Sequence, residues 1–455
     1  MLTAAVESVR RRLGGMHQDH KRIARSAFVL LIFVLAGKCI GASKEMAIAY
    51  RYGINGTVDA YQLALTLVTW LPTLLTNELS VLLVPALVAL RKDKSQQNGF
   101  LGELEGMGFV ISLAFCLLLY LSWPYMAELV ATSLSPSTRE SVRQMILGMI
   151  PVGVLTFTIC ISASRLQASG RHINTLLECV PAIGLLIFVL AAQNSESIMP
   201  LVLGTSIGFV VQAVWLRILA RRADGASDMP RVSMNAPQWP KTIRSMGTLM
   251  VGSVVAGLWL PVDQYFMAQQ GDGAIATLGY ANRLLSLLLS MGALAISRAT
   301  LPILSEILFQ GDHVRARSTA LKWSGVMLTV GLLGACLAYV LAPYAIKLLF
   351  QKGAFTADDT LAVTTLFRFG LLQVPFYFGM CVLVQLFASE MRYRTISIVS
   401  LLGFSVKVLC NVLLVRLYGA QGVLLATGVG AACIHACYIY LARFRLSLAS
   451  GRTGI

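Results

Sequence analysis

Residues 27–51 read AFVLLIFVLAGKCIGASKEMAIAYR. This run is long enough and apolar enough for a helix crossing a bilayer, yet it carries Lys38 and Lys44. A charge at membrane depth costs roughly 2.5–3.5 kcal/mol on insertion scales, so such a group usually faces a wet cavity and marks a substrate path. A later run, residues 280–295 (YANRLLSLLLSMGALA), holds Arg283 in the same predicament. Three buried cations of one sign imply an anionic cargo.

The rest of the chain fits this reading. Of its 455 residues 56% are hydrophobic and 13% charged, where soluble domains run near ~25% charged. The net charge of +16 does not imply nucleic acid, because the basic residues gather in short loops between apolar runs and orient the chain in the bilayer. Nine cysteines are scattered without metal spacing, and five histidines form no cluster. The basic, polar N-terminus does not read as a cleavable leader. It reads as an amphipathic cytoplasmic segment over residues 1–26.

Twelve spans are expected, near 27–51, 60–90, 107–131, 143–165, 174–193, 199–219, 246–269, 275–309, 321–342, 362–388, 395–416 and 420–442. Most of the 37 basic residues fall on one side, from Arg10–Arg12 through Arg91, Lys92 and Lys94 to Arg443 and Arg445. The positive-inside rule then makes both termini cytoplasmic. The two halves echo each other. Leu166-Gln-Ala-Ser-Gly-Arg171 ends the fourth span and Leu386-Phe-Ala-Ser-Glu-Met-Arg392 the tenth. Ser80-x4-Pro85 closes the second span and Ser297-x4-Pro302 the eighth. The expected fold is an all-α polytopic membrane protein of about twelve helices, in two pseudo-symmetric six-helix lobes around a central cavity. The N-lobe would span 27–219 and the C-lobe 246–442. A proline-containing cytoplasmic linker at 220–245 would absorb motion, and 443–455 would form a cytoplasmic tail.

Lys38, Gly41, Lys44 and Glu45 fall at near-helical spacing, so a cationic wall with room for a bulky group is expected there. Lys38, Lys44 and Arg283 are the substrate-binding candidates. Arginine suits the paired oxygens of a pyrophosphate. The structural alternative for Lys44, Glu45 and Arg283 is interfacial anchoring. Asp263, Glu78, Glu45, Asp59, Arg298 and Arg368 are candidates for ion coupling or the cavity wall. The alternative for Asp59 is a helix cap, since it sits at a helix start. Lys407 is a further cavity or inter-lobe candidate, while Glu178 and Arg165 read as structural groups at the cytoplasmic face. No phosphate-binding glycine loop or nucleophile set is present, so no enzyme activity and no cofactor are expected. Energy would come from a Na+, H+ or other ion gradient, the membrane potential or the substrate gradient.

Several segments resemble the MurJ/MviN family of lipid-linked glycan flippases, within the multidrug/oligosaccharidyl-lipid/polysaccharide exporter superfamily. They are Val262-Asp-Gln-Tyr-Phe through Gly271-Asp-Gly and Leu278-Gly-Tyr-Ala-Asn-Arg283-Leu, with Leu301-Pro302-x-Leu-Ser305. Leu349-Phe-Gln-Lys-Gly353-Ala-Phe-Thr356-Ala-x-Asp359 and Gly37-Lys38-x-Ile-Gly41-x-x-Lys44-Glu45 add to them. The resemblance runs over residues ~30–442. It implies a multi-pass protein of the bacterial inner membrane that flips a polyprenyl-pyrophosphate-linked oligosaccharide by alternating access. Its partners would be the lipid-linked glycan, membrane lipids and glycan polymerase or glycosyltransferase machinery. The family pattern has arginines where this chain has Lys38 and Lys44, one more arginine in the second span, and two further C-terminal spans. These departures favour a different lipid-linked glycan, such as an exopolysaccharide unit, over lipid II itself, so the expected cargo is a lipid II-like or exopolysaccharide repeat unit. The rival readings are an ion-coupled small-molecule exporter, a non-transporting scaffold and a membrane glycosyltransferase.

Overall fold

The computed structural model describes residues 18–90, 93–171, 173–192, 197–226 and 229–450. Much of the expected N-terminal segment and the end of the tail therefore lie outside the described residues. The N-terminal half consists of α1 (Gln18–Tyr52), α2 (Gly56–Leu90), α3 (Lys94–Val130), α4 (Pro136–Gly148), α5 (Ile150–Ala168), α6 (Ile173–Leu177), α7 (Val180–Ala191) and α8 (Met199–Asp224). The C-terminal half consists of α9 (Trp239–Gly257), α10 (Trp259–Ala268), α11 (Ala274–Phe309), α12 (His313–Phe350), α13 (Ala357–Gly370), α14 (Gln373–Ser389), α15 (Tyr393–Tyr418) and α16 (Ala420–Ser450). An all-helical answer is what lipid demands, because a helix satisfies its backbone within itself.

Eight helices among the described residues are long and apolar enough to cross a membrane, and a ninth span results if the pair bent by 56° between Trp239 and Ala268 is counted as one. The remaining expected spans fall on α1, α7 and α11. Helix α7 has 12 residues, and parts of α1 and α11 lie outside the residues whose side chains are described. Several expected spans extend further than their apolar runs. Helix α12, for example, has 38 residues and α3 has 37.

Three local devices recur between the halves at separations of 219–221 residues. Asp93 caps α3 by accepting from the Gln96 N–H, and Asp312 caps α12 by accepting from the Arg315 N–H. Ser135 caps α4 through the Thr138 N–H, and Thr356 caps α13 through the Asp359 N–H. Helices α5 and α14 end in one turn, with φ of 72° at Gly170 and 56° at Met391. In that turn the Arg171 N–H donates to the Leu166 carbonyl and the Arg392 N–H to Phe387. The register pairs Leu166 with Phe387, one residue off the sequence match through Leu386.

The connection between the halves is fastened down. The Glu103 carboxylate on α3 accepts from Ser233 Oγ at 2.7 Å, the Asn235 and Ala236 N–H groups at 3.0 and 2.9 Å, and the Trp239 indole at 2.6 Å. The Arg231 N–H donates to the Gly102 carbonyl at 2.8 Å. Gly106 admits this close approach, since a methyl group there would strike the Arg231 backbone. On the other flank, Arg165 holds both Asp224 oxygens at 2.8 Å and the Ala226 carbonyl at 2.7 Å. The linker expected to absorb motion is thus, over residues 229–239, strapped to the N-terminal half. The buried Glu103 carboxylate supplies the physical reason.

Candidate functional site

The site forms where α1 faces α11. The aromatic packing of Tyr280 against Phe350 and Phe355, with ring centroids 5.2 and 5.4 Å apart, seats the start of α11. Tyr280 is fully buried and its hydroxyl donates to the Gly53 carbonyl at 3.2 Å. Arg283, one turn on, is thereby aimed at α1. Its Nε lies 2.9 Å from Glu45 Oε1, and Lys44 Nζ lies 2.8 Å from the same oxygen. Lys38 Nζ donates to Ser290 Oγ at 3.0 Å, one end of a link the sequence did not suggest. Lys38, Lys44, Glu45 and Arg283 line a single cavity of about 190 Å³, with Phe350 and Leu349 on its apolar side. A methyl group built on Gly37 or Gly41 would meet nothing, so the space beside the cations is open.

Among the described lining residues Glu45 is the one carboxylate, paired with Lys44 and Arg283, and it is buried while the Arg283 side chain is 56% exposed. Three positive groups on two facing helices, with one buried carboxylate between them, can bind a multiply charged anion by exchange against Glu45. Two further cavities adjoin. One of about 200 Å³ shares Glu45 and Arg283. Another, of about 450 Å³ inside the N-terminal half, shares Lys44.

The other candidates go elsewhere. Asp59 is fully buried and accepts from the backbone N–H groups of Gly273 and Ala276, the latter at 2.6 Å. It caps α11 from across the molecule, not its own helix and not an open ion site. Asp272 returns the favour, accepting from the Ser135 N–H and Thr138 Oγ1 at 3.1 Å each. With the Ala354 N–H donating to Tyr50 O at 2.8 Å, these bonds shut the end of the bundle remote from the start of α1. Glu78 accepts from Ser253 Oγ and joins α2 to α9. Asp263, an expected ion site, is instead filled by Lys407. Its Oδ1 and Oδ2 lie 2.8 and 2.9 Å from Lys407 Nζ, which also donates to the Trp259 carbonyl at 3.2 Å and stands 4.3 Å over the Trp259 ring. Lys407 is fully buried, and desolvation forces the pairing. Asn411, one turn on, is also fully buried beside this pair.

Arg368 does not line the cavity. It donates to the Tyr339 carbonyl at 3.2 Å and lies over that ring. The side chain of Arg298 lies outside the described residues. Glu178, read from the sequence as a structural group, lines the chamber of the N-terminal half. Thr356 and Asp359 form a capping box that starts α13, which accounts for that stretch of motif without a ligand. Among the described residues no group of three His, Cys, Asp or Glu could hold a metal ion.

A family profile described as lipid II flippase MurJ matches residues 48–453. The chain belongs to the lipid II flippase MurJ family. It is thus a multi-pass membrane protein of a transporter family, not of a family of catalysts. Among MurJ relatives, the probable lipid II flippase of Bdellovibrio bacteriovorus is 24% identical over 442 residues, 93% of this chain and 82% of that protein. The probable lipid II flippase of Synechocystis is 24% identical over 431 residues, 90% of this chain and 79% of that protein. A solved lipid II flippase MurJ in an inward closed conformation aligns with TM-score 0.75 and 20% identity, over 91% of this chain and 87% of that one. An inward-facing multidrug resistance MATE family transporter of the MOP superfamily aligns with TM-score 0.69 and 13% identity, over 93% and 96%. At these identities the two structures report a shared fold. MurJ membership agrees with the resemblance seen in the sequence, while the cavity geometry stands on this chain's own residues.

Proposed function

We propose that this chain flips a polyprenyl-pyrophosphate-linked oligosaccharide across the bacterial inner membrane by alternating access. The observation that carries the proposal is the convergence of Lys38, Lys44 and Arg283 on one cavity between the two halves. The pyrophosphate takes the place of Glu45 on Arg283 and Lys44, the sugars ride in the adjoining cavities and the polyprenyl tail stays in lipid. The two halves act as lobes. With both termini cytoplasmic, the Asp59 and Asp272 ties form the outer gate. The straps at Glu103 and Arg165 then lie on the cytoplasmic side. An inside-negative potential favours outward movement of an anion by about 2.3 kcal/mol per charge per 100 mV. Lipid II is the first cargo to test, on the names of the relatives. An exopolysaccharide unit is the second. Hand-over to a glycan polymerase or glycosyltransferase follows on the far side.

The test is accumulation of lipid-linked intermediates in a deletion strain complemented with wild type, Lys38→Ala or Arg283→Ala. The expected result is an intermediate on the cytoplasmic face that only wild type clears, its mass naming the glycan. No accumulation, with both variants behaving as wild type, would sink the proposal and favour export of small molecules.

A further inference from the structure

The chamber inside the N-terminal half has a lining unlike that of the phosphate cavity. It encloses about 450 Å³, within the roughly 300–1,000 Å³ typical of ligand sites. Its polar wall is built from the hydroxyls of Tyr61, Thr69 and Thr73 on α2, Thr156 on α5 and Thr205 on α8, with the Gln212 amide on α8. Glu178 supplies its only carboxylate, and Lys44 stands at its border with the phosphate cavity.

The hydrogen bonds decide what such a wall can recognise. Thr69 Oγ1 donates back to the Leu65 carbonyl at 2.7 Å, and Thr156 Oγ1 to the Val152 carbonyl at 2.8 Å. Tyr61 and Thr205 share one hydrogen bond of 3.2 Å. The Thr69 and Thr156 protons are committed, so those two oxygens face a ligand as acceptors, while the Tyr61–Thr205 pair uses one proton and keeps the other to donate. Glu178 is an acceptor too when ionised. Phe209, Leu65 and Leu185 add apolar surface. A wall of acceptors with a few donors and apolar patches suits a neutral sugar, whose hydroxyls both donate and accept along its rim and whose faces present C–H groups. Lys44 is paired with Glu45 at 2.8 Å, which leaves Glu178 to disfavour a carboxylate on the ligand.

We infer that this chamber is the glycan subsite, that it selects neutral sugars, and that Lys44 marks the junction between sugar and pyrophosphate. The inference rests on the flippase reading above and extends it to the class of glycan.

The experiment measures binding by titration calorimetry to the purified full-length protein in nanodiscs. Three probes are used: farnesyl pyrophosphate, the same lipid bearing one glucose, and the same lipid bearing one glucuronic acid. Wild type should bind the glucosyl probe at least tenfold more tightly than farnesyl pyrophosphate and gain nothing from glucuronate. Thr73→Val should remove most of the glucose gain and leave farnesyl pyrophosphate binding unchanged. Glu178→Gln should do the same while improving the glucuronosyl probe. Equal binding of the three probes by wild type, or equal weakening of all three by the variants, would overturn the subsite while leaving the flippase reading intact. Failure of farnesyl pyrophosphate to bind, with no effect of Arg283→Ala, would overturn both.

Discussion

Replacing Asp263 by Asn while Lys407 remains strands an ammonium in a site with no access to water. Lys407 is fully buried, and its other polar contacts are one carbonyl and the face of an indole. Removing one partner of such a pair costs about 3–5 kcal/mol, because the survivor keeps its desolvation penalty and loses its counter-charge. Lys407→Met should cost a similar amount by stranding the carboxylate. The double variant Asp263→Leu/Lys407→Met removes both charges, and comparable replacements elsewhere are neutral or stabilising by about 1–4 kcal/mol. The cycle should therefore show a coupling energy of at least about 3 kcal/mol, near the top of the range for contacting residues. Unfolding in mixed micelles titrated with a denaturing detergent measures it. The double variant should also restore growth in the deletion strain, because the pair ties α10 to α15. Additive single effects would refute the energetic argument. A stable but inactive double variant would return Asp263 to the role of coupling site.

Three other outcomes can be checked. Gly41→Leu should fold as wild type, since a methyl group there meets nothing, yet it should abolish clearance of the lipid-linked intermediate by filling the cation cavity. Glu103→Ala removes the acceptor of four hydrogen bonds that fasten the linker. At about 1.5–3 kcal/mol for a bond to a charged group, tryptic cleavage after Arg231 should accelerate at least about a hundredfold, and a change under twofold would refute the strap. Met391→Gly should stabilise the protein by about 1 kcal/mol, because Met391 holds a φ of 56° that its counterpart Gly170 adopts freely, as detergent denaturation would report.

The sequence disclosed what depends on short-range pattern. Apolar runs located most of the helices, and the charges inside them picked out Lys38, Lys44 and Arg283 before any geometry was known. The spacing Thr356-x-x-Asp359 carries its capping box openly. What stayed hidden depends on partners far apart in the chain. Lys407 and Asp263 are 144 residues apart, and neither local context says that one neutralises the other. Glu103 lies in a stretch that looks like an ordinary solvated helix start, while its partners sit in a linker that composition marks as loose. Asp59 was legible as a cap but not as the cap of another helix, because the orphan amides of α11 belong to a helix that starts more than two hundred residues later. Glu178 follows the short α6, and only the fold turns it toward a chamber.

The closure at Asp59 and Asp272 has one property that follows from how its carboxylates are exchanged. Asp59 satisfies amides of the C-terminal half and Asp272 satisfies groups of the N-terminal half. Each half leaves polar groups there to be satisfied by a carboxylate of the other. Parting them therefore uncovers several strongly hydrated groups together, and each must be met by water. Opening is then a hydration step, and the gate should respond to the thermodynamic activity of water. Solutes excluded from protein surfaces, such as sucrose, should hold it shut. A disulfide between cysteines at positions 50 and 354, which are joined there through their backbones and leave both carboxylates in place, would report that closure, forming faster as the solute concentration rises.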